Sequence, residues 1–294
     1  MDYQELWTLM HKAWAALRIC YQPVVQQFIQ ETGIESREWG LLLTALTFEP
    51  EGITPAHLLV RSPYTAADEY LRRLKSLAEK GYLQEGGDGG FVLTSGGRSE
   101  AQRLIAEIRQ AMTSIHPLPP RDLQRLVELL DRLVQSCLST PPLPDTWSIR
   151  LSYRLMPPSS SPLPFIEQAF TCLEAYRDDS HLAAWRKSSL TATSLEALTL
   201  IWRGEVDSFD GLIGKLALRG HPNEVYQDAI GHLKANHLIS GTMDALQLTP
   251  EGKRLRDKIE EETDRYFYAP WTCLNETESG EMKNLLVRLR DGLK

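Results

Sequence analysis

Arg72, Arg73 and Lys75 place three cations within one turn of a strongly patterned segment. Cations grouped this way can neutralise phosphates, which take half or more of all protein–DNA hydrogen bonds. The same three residues also suit the solvated face of a surface helix. Asn223 and Gln227 lie one helical turn apart. Asn pairs well with adenine but also caps helices, and capping is the simpler reading of Asn223; Gln227 can reach a base edge. His221, His232 and His237 recur nearby, without the ligand spacing or the neighbouring Cys or carboxylate that zinc requires. Asp178-Asp179-Ser180-His181 carries the residue types of a catalytic pair. It falls in a helical pattern with no Gly-rich elbow, and reads as a surface helix. No catalytic residue, metal ligand or cofactor is expected from these groups.

The elements that must hold these residues follow from periodicity. Leu6, Met10, Trp14, Leu17, Tyr21, Val24 and Phe28 recur at spacings of three and four, so Tyr3–Thr32 reads as one long helix, with Pro23 expected to bend or break it near Gln22. Ser36 opens a second helix, Trp39–Thr47, which Glu49-Pro50-Glu51-Gly52 stops. Thr54-Pro55 is a cap followed by proline at the first helical position, starting a short helix to about Val60. After the turn Arg61–Tyr64, Thr65-Ala66-Ala67-Asp68 opens a further helix that ends at Gly81. Tyr82–Glu85 and Phe91–Thr94 alternate as two short strands joined by a glycine-rich tip. Thr94 then caps a helix to about Ser114, and Arg121–Leu138 forms one more.

Residues 139–164 hold seven prolines and read as an extended linker, within which Trp147, Ile149, Leu151, Tyr153 and Leu155 alternate like a strand or a surface-packed segment. The second half then repeats the plan: helices at Phe165–Trp185 and Ser194–Arg203, a short helix from the Ser208 cap, the turn Arg219–Pro222, a helix from Asn223, a small hairpin, a helix from Thr249-Pro250 and a last helix at Glu276–Leu293.

The repetition is also literal. L-A-E-K-G-Y-L near residue 77 answers L-K-A-N-H-L-I near residue 233, and F-V-L-T-S-G-G-R answers L-Q-L-T-P-E-G-K. Leu77 aligns with Leu233, Thr94 with Thr249, Gly97 with Gly252, and L-L-D-R-L at Leu129 with L-L-V-R-L at Leu285. The offset is 156 residues before the hairpin, 155 just after it, where the second hairpin is one residue shorter, and 156 again at Leu129 and Leu285. A period this long marks a duplicated domain, not a solenoid unit. The expected fold is therefore mainly α with small β-wings (α+β): two tandem winged helix-turn-helix domains, 1–138 and 165–294, with long flanking helices, joined by the linker 139–164 in a pseudo-two-fold arrangement.

These segments resemble the MarR (multiple antibiotic resistance regulator) class of winged-helix proteins. The resemblance is best over Glu5–Met112, where I-T-P-A-H-L-L stands for the family's second helix and T-A-A-D-E-Y-L-R-R-L-K-S-L-A-E-K-G-Y-L for its recognition helix, followed by the wing and L-T-x-x-G-R. It implies a transcription regulator with recognition helices in the major groove. By position the reading residues are Tyr64, Thr65, Asp68, Arg72 and Arg73, with Lys75 beside them, then Asn223, Gln227 and Lys234. Two such units in one chain imply a fused pseudo-dimer on a non-palindromic double-stranded operator. As in several members of the class, a small-molecule effector could sit in the seam filled by Trp7, Trp14 and Trp39. The family's wing usually carries an arginine; the wings here, Q-E-G-G-D-G-G and S-G-T-M-D-A, hold no Lys or Arg. That favours an alternative, a winged-helix module kept for contacts with a protein partner.

The bulk composition sets limits. Net charge is −7, which excludes a uniformly basic nucleic-acid coat. Thr54–Arg98 and Ser208–Arg256 each hold six Lys/Arg against five Asp/Glu, so the reading segments are near neutral and the scaffold is acidic. Four cysteines without a C-x-x-C pair point to reduced thiols. No secretory leader is read, and no apolar run nears the ~18 residues of a membrane span, so a cytoplasmic protein without membrane contact is expected.

Overall fold

The computed structural model describes residues 2–87, 89–140 and 148–293. Its elements, in chain order, are α1 (Tyr3–Thr32), α2 (Trp39–Thr47), α3 (Pro55–Arg61), α4 (Ala67–Glu79), β1 (Leu83–Glu85), β2 (Phe91–Leu93), α5 (Ser95–Thr113), α6 (Pro120–Ser139), α7 (Ser148–Tyr153), α8 (Pro162–Trp185), α9 (Ala192–Trp202), α10 (Phe209–Leu216), α11 (Asn223–Ala235), β3 (Ile239–Gly241), β4 (Leu246–Leu248), α12 (Pro250–Tyr268) and α13 (Glu276–Gly292). Two short 3-10 turns, Ala217–Arg219 and Ala269–Cys273, complete the set. The fold is thus mainly helical with two small antiparallel hairpins.

The repeated sequence L-T-x-x-G builds the same local structure twice. Thr94 Oγ1 accepts from the Gly97 amide at 2.9 Å and donates to the Gly81 carbonyl at 2.7 Å. Thr249 Oγ1 accepts from Gly252 at 3.0 Å and donates to the His237 carbonyl at 2.6 Å. Each threonine caps the following helix while tying it to the end of the preceding one. A methyl group on Gly97 would sit 1.9 Å from the Tyr82 carbonyl oxygen, and one on Gly252 would sit 2.0 Å from that of Leu238, so both positions demand glycine. The hairpin registers agree as well, with Leu83 opposite Leu93 and Ile239 opposite Leu248.

The chain folds into two compact units, each of which draws on both halves of the sequence. The first comprises Met1–Ile53, Leu74–Asp179 and Phe267–Lys294; the second comprises Thr54–Arg73 and Ser180–Tyr266. In the first, α1 packs against α5 and α13, and α6 against α13 and the turn Ala269–Cys273. Phe267 and Trp271 are fully buried there in an aromatic cluster with Tyr3, Trp7 and Tyr268. In the second, α9, α10, α11 and the β3–β4 hairpin close over a core that includes Leu198, Leu212, Tyr226, Ile230, Leu233 and Ile239.

Several sequence expectations change in the structure. Pro23 lies inside α1 and does not end it. Proline forfeits one i→i−4 bond, and packing on α5 and α13 carries the helix across that gap. Val25, not Val24, takes the buried position after it. The alternating run in the linker is no strand: Ser148–Tyr153 is helical, with Ile149 and Ser152 buried on one side. Trp147, Pro141, Pro142 and Pro144 lie outside the described residues. Asp178–His181 is no surface helix either. Asp179 and Ser180 are fully buried, and the Asp179 carboxylate accepts from the Ser148 and Ile149 amides, both at 3.2 Å. An anion at the amino end of α7 satisfies amides that the short helix cannot pair itself. The tryptophan seam is also different: Trp7 packs on Phe267 and Trp271, while Trp14 donates to Glu167 at 3.3 Å. The cysteines are free thiols.

Candidate nucleic-acid interface

A helix-turn-helix presents the amino-terminal turn of its second helix to the groove. Two pairs of successive short helices, α3 with α4 and α10 with α11, stand where the sequence leads one to expect such a motif. Pro55 at the start of α3 and the Thr54 hydroxyl, which accepts from His57 at 3.2 Å, fix the first entry. The Ser208 hydroxyl, accepting from Gly211 at 3.3 Å, fixes the start of α10.

Within the second compact unit the entrances of α4 and α11 meet. The Ala66 amide donates to the Arg219 carbonyl at 2.8 Å. The Arg73 guanidinium donates to the Leu218 carbonyl at 3.2 Å, and His221 Nε2 lies 3.1 Å from the Tyr64 carbonyl. Gly220 has φ +74°, and a methyl group there would fall 2.5 Å from Glu69 Cβ. The position thus needs glycine twice, for its left-handed backbone and for its close approach. Arg219 extends over the Tyr64 ring at 5.7 Å and pairs with Glu196 at 2.5 Å.

The electrostatics of this contact are local. Hydrogen bonds from Arg72 hold the Glu69 carboxyl down at about 2, against partial burial and with help from Arg73. Burial pushes His221 below its ordinary value, opposed by its bond to the Tyr64 carbonyl and assisted by the Arg219 charge. Burial raises Glu196, although Arg219 pulls it down, and raises Tyr226 to about 12.

The contact separates the residues that sequence reasoning singled out for DNA. Thr65 is 4% exposed and Arg73 9%, and Tyr64 is half-buried against the core of this unit. In this arrangement a groove does not reach Thr65 or Arg73, because the turn before α11 covers them. Arg72 stays exposed but is paired with Glu69 at 2.8 Å; Lys75 is exposed, and so is Asp68. On α11, Asn223 and Gln227 are exposed and Lys234 is half-buried. These three positions lie on one stripe of the helix together with the buried Ile230, at the margin of the side where Tyr226, Ala229 and Leu233 are buried, and the exposed Glu224 and Asp228 stand beyond them. Asn223 is not the cap of its helix: Pro222 holds that position, and no side chain caps it. The fixed φ of proline starts the helix and leaves the Asn223 side chain outward. A fused pseudo-dimer places its recognition helices about 34 Å apart; entrances joined by a 2.8 Å hydrogen bond do not meet that spacing. The sequence signal for this contact was Gly220 itself, legible as a turn residue but not as a docking point.

In the first compact unit, a cavity of about 230 Å³ opens beside the first hairpin, lined by Glu49, Gly52, Val92 and Arg98 among others. It is smaller than the ~300–1,000 Å³ usual for a small-molecule site, and the Glu49–Arg98 ion pair contributes to its lining.

Residues 152–293 match a family model described as a helix-turn-helix family. Comparison with curated proteins and with solved structures gives no significant match. The match covers α10, α11, the β3–β4 hairpin and the helices around them. No helix among the described residues is long and apolar enough to cross a membrane.

Proposed function

We propose that this chain is a DNA-binding transcription regulator of helix-turn-helix type, built by duplication of a MarR-like winged-helix unit, with α11 as the helix that faces the duplex. The observation that carries this reading is the helix-turn-helix match over residues 152–293 coinciding with the outward polar face of α11, where Asn223 and Gln227 stand exposed. Asn and Gln recognise adenine through paired hydrogen bonds, and Lys234, further along the same face, supplies a phosphate contact. The identical threonine–glycine closures after both hairpins support the duplication. The sequential division into 1–138, a linker 139–164 and 165–294 then describes the ancestry of the chain, whereas its compact units interleave.

A second reading has its own support. Neither hairpin tip bears a Lys or Arg, and Asp68, Glu69 and Glu224 occupy the first turns of α4 and α11. Carboxylates there suit the helix dipole but repel phosphate, so a protein partner is the competing occupant of this surface. Fluorescence anisotropy of the full chain with random-sequence and genomic duplexes, from low salt upward, separates the two. Preference for a subset of duplexes, weakening as salt rises, supports the regulator. Absence of binding at low salt favours the protein-contact module.

A further inference from the structure

We infer that sequence reading by this chain falls to α11 alone, and that the first helix-turn-helix serves as its brace, with Ala66, Glu69 and Arg73 as positioning residues for the entrance of α11. This rests on the DNA-binding reading above and specifies its form: one major-groove half-site per chain, with no internal symmetry.

The brace is built mostly from the main chain. The carbonyls of Leu218 and Arg219, at the end of the 3-10 turn, accept from Arg73 and from the Ala66 amide. The Tyr64 carbonyl meets His221. All three bonds land within the four residues that precede Pro222, the cap of α11. Carbonyls at the end of a short helical turn need partners from outside it, and here the first helix-turn-helix provides them. Glu69 closes the arrangement. Its carboxylate takes Arg72 at 2.8 Å and Arg73 at 2.7 Å, and its Cβ fills the space that Gly220 leaves open. The consequence for recognition is steric. Thr65, Ala66, Glu69 and Arg73 at the start of α4 are taken up in this contact, so a duplex meets the exposed Asp68, which repels phosphate, and the exposed cations further along, Arg72 and Lys75, which can touch phosphate but do not enter a groove end-on. The corresponding turn of α11 is clear, with Asn223 and Gln227 outward.

The test uses the full chain. Its preferred duplex is first selected from a random pool, and affinity for that duplex and for random duplex is then measured for variants. Asn223→Ala and Gln227→Ala are expected to cut the preference about tenfold or more each, the loss of a paired base contact. Lys75→Ala, exposed and outside the brace, is expected to weaken both duplexes alike and leave the preference unchanged. Gly220→Ala is expected to hasten amide exchange at Ala66, whose bond to Arg219 it strains, and to lower affinity without altering the preferred sequence; Arg73→Lys gives the same readout should Gly220→Ala fail to fold. Footprinting is expected to protect a single half-site per chain. Two protected half-sites per chain, or a changed base preference in the Lys75 variant, overturns the single-reader assignment while leaving DNA binding intact. A chain that binds every duplex alike overturns the single-reader assignment, and one that binds no duplex at low salt overturns DNA binding and this assignment with it.

Discussion

His237 adopts φ 55° before the second hairpin, as Gly81 adopts 80° before the first. Both residues end a helix and turn the chain into a hairpin, but a side chain in the left-handed region costs about 1–2 kcal/mol. His237→Gly is therefore expected to raise the unfolding free energy by about 0.5–1 kcal/mol, part of the relief being offset by the greater freedom of glycine in the unfolded chain; urea titration measures it. His221 and Glu69 give the brace a pH dependence. Both have folded values below their ordinary ones. Stability from His221 is fully present above about pH 6.5 and is lost as pH falls through its lower folded value. That from Glu69 is lost between about 4.5 and about 2. The groups facing His221 are Arg219, the Tyr64 carbonyl and the Tyr226 ring, so its protonation sets a second positive charge beside Arg219. Denaturation curves between pH 7.5 and 5 are expected to show a loss of stability that His221→Asn diminishes; equal slopes in both proteins would remove His221 from the account. Asn223 and Gln227 were legible as polar helix residues, yet their outward placement required the fold. Thr65 and Arg73 carried the same kind of signal and proved to be covered.

Among the elements, α7 shows how a distant residue decides local structure. Alternation predicts an extended segment for 147–155, because period-two apolar spacing is what a strand shows. The Asp179 carboxylate instead captures the Ser148 and Ile149 amides, and a six-residue helix forms. At its other end Arg109 donates to the Leu155 carbonyl at 2.6 Å and Arg154 to the Thr47 carbonyl at 2.5 Å. Asp179→Ala leaves two buried amides unsatisfied and is expected to cost about 1–3 kcal/mol. Hydrogen exchange locates the effect: the amides of Ser148 and Ile149 should lose protection first, and unchanged protection there would discard the capping role. The continuous helix across Pro23 teaches the converse. The proline signal is local, while the packing of α1 on α5 and α13 is not.

For the whole molecule, electrostatics bound the affinity. The chain carries −7, and its hairpin tips carry no cation. Each phosphate contact adds about −0.9 to the slope of log K against log salt. With cations of α4 and α11 as the available contacts, the slope is expected to be shallow, of magnitude about 3 or less. A slope near −6 or steeper would mean that other surfaces of the chain contact the duplex. The interleaved units also bear on dissection. A chain cut between 141 and 147 removes Thr54–Arg73 from the unit that holds α10 and α11, so the two halves are best studied joined.

By itself, the sequence determined the order of helices apart from α7, the two hairpins and the threonine caps that follow them. Those follow from periodicity, proline, glycine and threonine acting within a few residues, and repetition of the pattern doubled the signal. The tertiary structure alone decided what the equivalent positions do. Ala66 and Gly220 read as ordinary turn residues and Arg73 as a DNA-reading cation, because their partners lie about 150 positions away. A main-chain hydrogen bond between two turns leaves no imprint on side-chain pattern, and burial of a cation such as Arg73 depends on a carbonyl that no local spacing can place.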